Sequence, residues 1–386
     1  MNFSLPQKIE YVLDTLISNG HKAYIVGGCV RDLLCGKEPH DYDITTSAMP
    51  HETQALFEKT IATGLKHGTV TVMIDSEPIE VTTFRTESVY NDSRHPESVN
   101  FVRDVRDDLA RRDFTVNAMC YNHIDGLIDL FGGKNDIDGK MLQAVGDAKT
   151  RFQEDALRIL RLFRFAATLE FEIENSTFYA AIEYAPLLQN ISAERIFTEL
   201  QKTAAGNNPN ILCPLLDTRA FQNYSLTNTD LKSISKLENR KNLRAFALLN
   251  LTSINLQNTL DSFKCSNSFK DYCLKMHYLS QNIIDSNKIS IKKALDFADY
   301  DIVSDILLYY RDILNIDISS RQSLLDEIIK AHEPYKISHL DISGKDITAL
   351  GFGGKEVGEK LEFLLNEVIK NPDLNTREKL LNLICN

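Results

Sequence analysis

The sequence predicts an α+β chain: a mixed head of strands and helices, then an all-helical remainder. Three observations predict it. Short β-rich runs alternate with helical patterns over the first third, strand signals almost vanish from Asp147 onward, and 386 residues exceed what one hydrophobic core usually supports. Strands are expected at Ala23–Val26, Asp41–Thr45, Thr69–Ile74 and Ile79–Phe84, with Met119–Tyr121 and Leu127–Asp129 as a further pair. Helices are expected at Gln7–Ser18, Val30–Leu34 and His51–Phe57.

Beyond Asp147, helical spacing runs through Arg151–Glu170, Ser176–Tyr184, Ala193–Ala204 and Leu243–Leu249. It continues through Lys292–Ala298, Ile302–Leu314, Arg321–Ala331 and Glu356–Ile369, with Pro209, Pro214, Pro334 and Pro372 as breaks. The expected division is a head over 1–140, a neck over 141–210, a body over 211–335 and a tail over 336–386.

Composition narrows the class. With 43% hydrophobic and 25% charged residues the chain reads as a globular protein. No apolar run approaches the ~18 residues of a membrane span, and Gln7, Lys8 and Glu10 stand where a signal peptide would be apolar. Seven scattered cysteines without a Cys-x-x-Cys pair suggest reduced thiols in the cytoplasm, not a zinc site or a disulfide frame. The net charge of −11 argues against nonspecific nucleic-acid binding but leaves room for a local basic track, so the motifs must decide.

Gly27-Gly28-Cys29-Val30-Arg31-Asp32 follows one predicted strand and opens a helix. Glycines there let backbone N–H groups approach phosphates, the helix N-terminus adds its positive end, and Arg31 can fork onto a phosphate oxygen. Asp41-Tyr42-Asp43 comes soon after. On a strand, residues two apart share a face, and two carboxylates held that close favour a cation between them, with hard oxygen ligands suited to Mg²⁺. Each motif alone is more often an ordinary turn; together they place a triphosphate cradle beside a metal site. Glu80 is either a third carboxylate on a neighbouring strand or an edge-strand charge facing solvent.

This pairing resembles the DNA polymerase β-type nucleotidyltransferase superfamily. More narrowly, it resembles the bacterial and eukaryotic class of CCA-adding tRNA nucleotidyltransferases, which share their head with bacterial poly(A) polymerases. The resemblance implies two-metal phosphoryl transfer with Asp41 and Asp43 as metal ligands and catalytic residues, and Gly28 and Arg31 at the nucleotide. It also implies tRNA, ATP and CTP as partners and Mg²⁺ as cofactor.

Arg111-Arg112-Asp113-Phe114-Thr115-Val116-Asn117-Ala118 matches the family's second signature nearly letter for letter. It implies that Arg112 contacts the nucleotide and makes Asp113 a candidate reader of a ribose hydroxyl. Glu154-Asp155-Ala156-Leu157-Arg158 resembles the family's Glu-Asp-x-x-Arg motif. Cytosine and adenine both offer an amine donor beside a ring-nitrogen acceptor, which an aspartate and an arginine one helical turn apart would complement. Asp155 and Arg158 are therefore the expected base readers, with Arg161 and Arg164 placed near the nucleotide by the resemblance. The bland alternative is a solvated face of helical ion pairs.

Asn91–Ser98 resembles the family's flexible loop for the final A, with His95 where most relatives carry a second arginine and Arg94 the remaining one. An ordinary connector is the alternative. Ala193–Leu200 matches a family helix whose charges buttress the reading helix, and Asp341–Asp346 resembles the C-terminal segment that grips tRNA. The rivals to CCA addition are a poly(A) polymerase on the same head and a noncatalytic RNA-binding protein, which would lose the metal pair.

Overall fold

The computed structural model describes residues 2–87 and 99–385. The loop residues Asn91–Ser98, Arg94 and His95 included, lie outside the described residues. The chain divides between Asp230 and Leu231 into two compact units.

The first unit is built on a mixed seven-stranded sheet. Its strands are β1 (Ala23–Val26), β2 (Ile44–Thr46), β3 (Thr60–Gly64), β4 (Thr69–Ile74) and β5 (Glu77–Thr83). A hairpin of β6 (Arg85–Glu87) and β7 (Val99–Phe101) stands apart, and β8 (Met119–Asn122) and β9 (Gly126–Asp129) complete the sheet. The order is β3-β4-β5-β2-β1-β8-β9, with β2 and β5 parallel and the other neighbours antiparallel. All four residues of β1 are buried, as an unbroken apolar run in a central strand should be.

Helix α1 (Gln7–Ser18) buries Ile9, Val12, Leu13 and Leu16, the i, i+3, i+4, i+7 stripe that marked it in the sequence. Helix α2 (Gly28–Leu34) opens at the glycine turn, and α3 (Pro50–Leu56) begins on a proline whose missing N–H costs nothing there. Helices α4 (Val105–Ala110) and α5 (Gly133–Asp138) flank β8 and β9 in sequence, followed by α6 (Ala148–Glu154), α7 (Leu157–Leu169), α8 (Asn175–Tyr184), α9 (Ala193–Ala204) and the short α10 (Cys213–Leu216). A two-residue parallel pair joins Met141–Leu142 to Glu172–Ile173. Gly206 lets the end of α9 meet α7 closely, because a Cβ there would lie 2.7 Å from the carbonyl of Ala167.

Two of the differences from the sequence reading bear on the motifs. The strand expected from Asp41 starts at Ile44, where parallel pairing with Val81 begins. Asp43 is tied to β1 only through its carbonyl, which accepts the Val26 N–H at 3.0 Å. The single helix expected over Arg151–Glu170 is broken between α6 and α7. Asp155 there is extended (φ −139°, ψ 103°) and its carboxylate accepts the Leu157 N–H at 3.0 Å, so the side chain takes a donor that a continuous helix would have used.

The second unit is helical: α11 (Lys241–Thr252), α12 (Leu256–Ser262), α13 (Asn267–Gln281), α14 (Lys288–Phe297), α15 (Tyr300–Asp312), α16 (Ser319–Lys330), α17 (Gly344–Ala349), α18 (Lys355–Lys370) and α19 (Arg377–Cys385). Phe246 of α11 packs on Tyr309 of α15 at 5.3 Å between ring centroids. Towards the C-terminus Leu340, Ile347, Leu364, Val368 and Leu380 form a core of their own. No described helix is long and apolar enough to cross a membrane.

Candidate functional site

Gly27 ends β1 with φ +80°, a conformation glycine adopts without strain. A Cβ at this position would lie 2.8 Å from Nη1 of Arg112. The absent side chain thus lets a guanidinium, held from behind, lie against the turn that opens α2. Arg112 donates through Nη2 to Asp108 at 3.3 Å, and its buried Nε has no hydrogen-bond partner.

Arg31, also predicted at the nucleotide, is buried. It donates through Nε and Nη2 to Asp32 at 2.9 and 2.7 Å and through Nη1 to Asn117 at 2.7 Å. Asn117 in turn donates to Asp113 at 3.2 Å. Its link from the glycine turn to the second motif was not foreseen, although the residue stands in the quoted string.

Asp41 and Asp43 precede β2 and line one cavity of about 560 Å³ together with Glu80, Glu77, Lys8 and Thr71. Both aspartates are exposed, and Asp41 faces His40 Nδ1 at 3.0 Å. The Asp43 carboxyl titrates above its ordinary range because protein around it removes water. Arg112 opposes that rise and Asp41 adds to it. Burial is the main cause of the rise, and the like charge of Asp41 is the smaller part that a cation between the two would relieve. Glu80 is exposed but does not sit on an edge: its strand β5 runs between β4 and β2, and its side chain opens into the aspartates' cavity. Among the described residues no group of three or more His, Cys, Asp or Glu side chains is placed to hold a metal.

The arginines of α7 are not on a solvated face. Arg158 is buried, donating to Glu154 at 2.6 Å and to the backbone carbonyls of Arg151 at 3.2 Å and Arg111 at 2.9 Å. Arg161 forks onto Asp113 with Nε at 2.8 Å and Nη2 at 2.6 Å. Arg164 reaches buried Glu199 of α9 at 3.2 Å. The acids that pair with the last two come from distant segments, which is why helical spacing did not reveal them. Asp155 has its second oxygen 3.5 Å from Arg195, also on α9.

Asp113 has its oxygens engaged by Arg161, the Asn117 amide and the Phe114 N–H. Burial alone would raise its pKa; Arg161 and these donors override it and hold the carboxyl at about 2. As a ribose reader it would have to exchange one of these bonds. A second carboxylate, Asp108, escaped the sequence reading altogether. Fully buried, it accepts from Arg111 Nη2 at 2.7 Å, Arg112, the Arg85 N–H at 3.3 Å and Thr45 at 3.4 Å. It therefore joins β2, which follows the aspartate pair, to the doubled arginine.

Residues 23–143 match the family model described as the poly A polymerase head domain, and residues 170–223 match one described as a probable RNA and SrmB-binding site of polymerase A. The CCA-adding enzyme of Lactococcus lactis subsp. lactis is 39% identical over 376 residues, spanning 93% of this chain and 92% of that protein. That of Enterococcus faecalis is 34% identical, spanning 96% and 93%. The crystal structure of the Bacillus stearothermophilus CCA-adding enzyme in complex with CTP superposes with a TM-score of 0.81 at 29% identity, over 95% of this chain and 93% of that one. The Thermotoga maritima CCA-adding enzyme complexed with tRNA, at 19% identity and a TM-score of 0.66 over 99% and 96% of the two chains, shares the fold. On relatives matched almost end to end, together with the head-domain motifs, this chain belongs to the family of CCA-adding enzymes.

Proposed function

We propose that this chain adds C, C and A to the 3′ end of tRNA from CTP and ATP by two-metal nucleotidyl transfer, releasing pyrophosphate. The observation that carries the reading is a convergence. Arg112 lies against the Gly27 turn, acts electrostatically on Asp43, and is followed by the segment that engages the arginines of α7. Relatives that match 93% and 96% of the chain are named CCA-adding enzymes, which weighs against a poly(A) polymerase on the same head.

Asp41 and Asp43 fit Mg²⁺, which takes one or two carboxylates and completes its shell with water and substrate phosphate. Bound there, the metals would lower the pKa of the primer hydroxyl and neutralise the departing pyrophosphate. The protein's own part is binding and selection. The α2 N-terminus at Gly28 presents N–H groups to phosphates, and Arg112 and Arg31 add charge. Asp155 accepts from the exocyclic amine of cytosine or adenine, Arg158 donates to the ring nitrogen, and Arg161 and Arg164 set the charge around them.

The test uses tRNA lacking its terminus, Mg²⁺ and the four nucleotides singly and mixed. CTP alone should extend the RNA by two residues, CTP with ATP by three, and UTP or GTP by none. Asp41→Ala and Asp43→Ala should abolish addition with tRNA affinity nearly unchanged, because the metals act on charge that develops in the transition state. Activity within about tenfold of wild type in either variant sinks the metal assignment.

A further inference from the structure

Three guanidinium groups gather on the ring of Phe165. The Cζ of Arg164 lies 4.1 Å from its centroid, that of Arg161 5.3 Å and that of Arg31 5.4 Å. The ring is 9% exposed, and Phe114 of the second motif meets it edge-on at 5.9 Å. Arg161 and Arg164 share its helix, whereas Arg31 comes from the helix that opens at the glycine turn.

Like charges crowded together in a partly dry place repel. The crowding is visible in Arg164, whose pKa is lowered to about 10 by burial and then by Arg161. Each arginine has one carboxylate partner: Asp32, Asp113 or Glu199. A further acid would bind the three more firmly, but it would carry negative charge to the place a triphosphate must occupy. An aromatic face attracts cations through its quadrupole and carries no net charge.

We propose that Phe165 is a positioning residue of the nucleotide site, its ring holding Arg31, Arg161 and Arg164 together for the incoming triphosphate. The inference rests on reading these arginines as nucleotide contacts. Phe165 touches no substrate; it acts through the three side chains and ties the reading helix to the glycine turn.

Fluorine on the ring drains negative charge from its face and nearly preserves its shape, so it separates this role from packing. Mono-, di- and trifluorinated phenylalanine are placed at position 165 of the full chain, and KM and kcat for CTP and ATP are measured with the unfolding midpoint. KM should climb stepwise to about three- to tenfold for the trifluorinated ring, kcat should stay within about twofold, and the midpoint should not move. Phe165→Leu should raise KM further and Phe165→Tyr, which keeps the face, should restore it. A flat KM across the series, with Arg161→Ala still raising it, overturns the platform and leaves the nucleotide site standing. A flat response to both overturns both. A KM rise that follows a falling midpoint makes the ring a packing element and also overturns the proposal.

Discussion

Asp113 shows how far a single side chain can depart from its reading in the sequence. The string Arg111–Ala118 marked it as functional, but its carboxylate is occupied from within the protein. Nothing in a local pattern could supply that, because Arg161 is almost fifty residues away along the chain. The folded carboxyl titrates near 2, below the usual aspartate value of 3.8. Its contribution to stability is thus complete above the unfolded pKa and fades as pH falls through the folded one. Asp113→Asn should cost roughly 2–3 kcal/mol at neutral pH, a difference that shrinks between about pH 4 and pH 2. Urea unfolding of both proteins across that range checks it, and a difference independent of pH would show that Asp113 is not held as a charged group. Glu199 is the same case for Arg164: a buried acid on another helix, invisible to spacing within α7.

At the scale of elements, β1, β4, α1 and α9 were legible to the residue, because their apolar patterns are regular and their neighbours polar. Others were not. Helix α13 buries Phe269, Cys273, Met276 and Ser280, a proper helical series, but exposed Leu274 and Tyr278 on the other face blur it. The break between α6 and α7 was hidden because Glu154–Arg164 reads as one amphipathic run, and only the turn made by the Asp155 side chain interrupts it. In the proposed reading that turn orients a base reader, which gives Asp155 two separable duties. Asp155→Asn keeps an acceptor for the Leu157 N–H and should hold stability within about 0.5 kcal/mol, whereas Asp155→Ala should lose about 1 kcal/mol. Asp155→Ala and Arg158→Ala should also relax the rejection of UTP and GTP. Full retention of the preference for C and A in either would remove Asp155 and Arg158 from the reading role.

For the whole molecule, the residues assigned to the nucleotide all precede Asp230, and the second unit carries its own core and its own buried charge. Lys292 on α14, 1% exposed at its side chain, lies 2.7 Å from Glu333, which also receives Lys288 at 2.6 Å. Burial opposes it, but the hydrogen bond from Lys288 and the ion pair with Lys292 hold the Glu333 carboxyl below its ordinary range. Removing the acid strands a buried ammonium, so Glu333→Gln should destabilise the second unit by about 3–5 kcal/mol, and Lys292→Met should cost much less. Calorimetry should resolve two unfolding steps. CTP with Mg²⁺ should raise the midpoint of one through binding, and Glu333→Gln should lower the other. A single step displaced equally by both would contradict the independence of the two units.

The place of β1 in the sheet bears on how the chain is made. Ile25 and Val26 pair with Tyr121 and Cys120 of β8, and Ile25 meets Tyr121 only after nearly a hundred further residues have been joined. At roughly 5–20 residues per second, a ribosome leaves that strand waiting on the order of ten seconds beside β2, its other partner. Asp230, where the first unit ends, clears the exit tunnel while the second unit is still being translated. A stalled nascent chain long enough to expose Asp230 should therefore already retain CTP and resist protease, and a shorter one that withholds β8 should do neither.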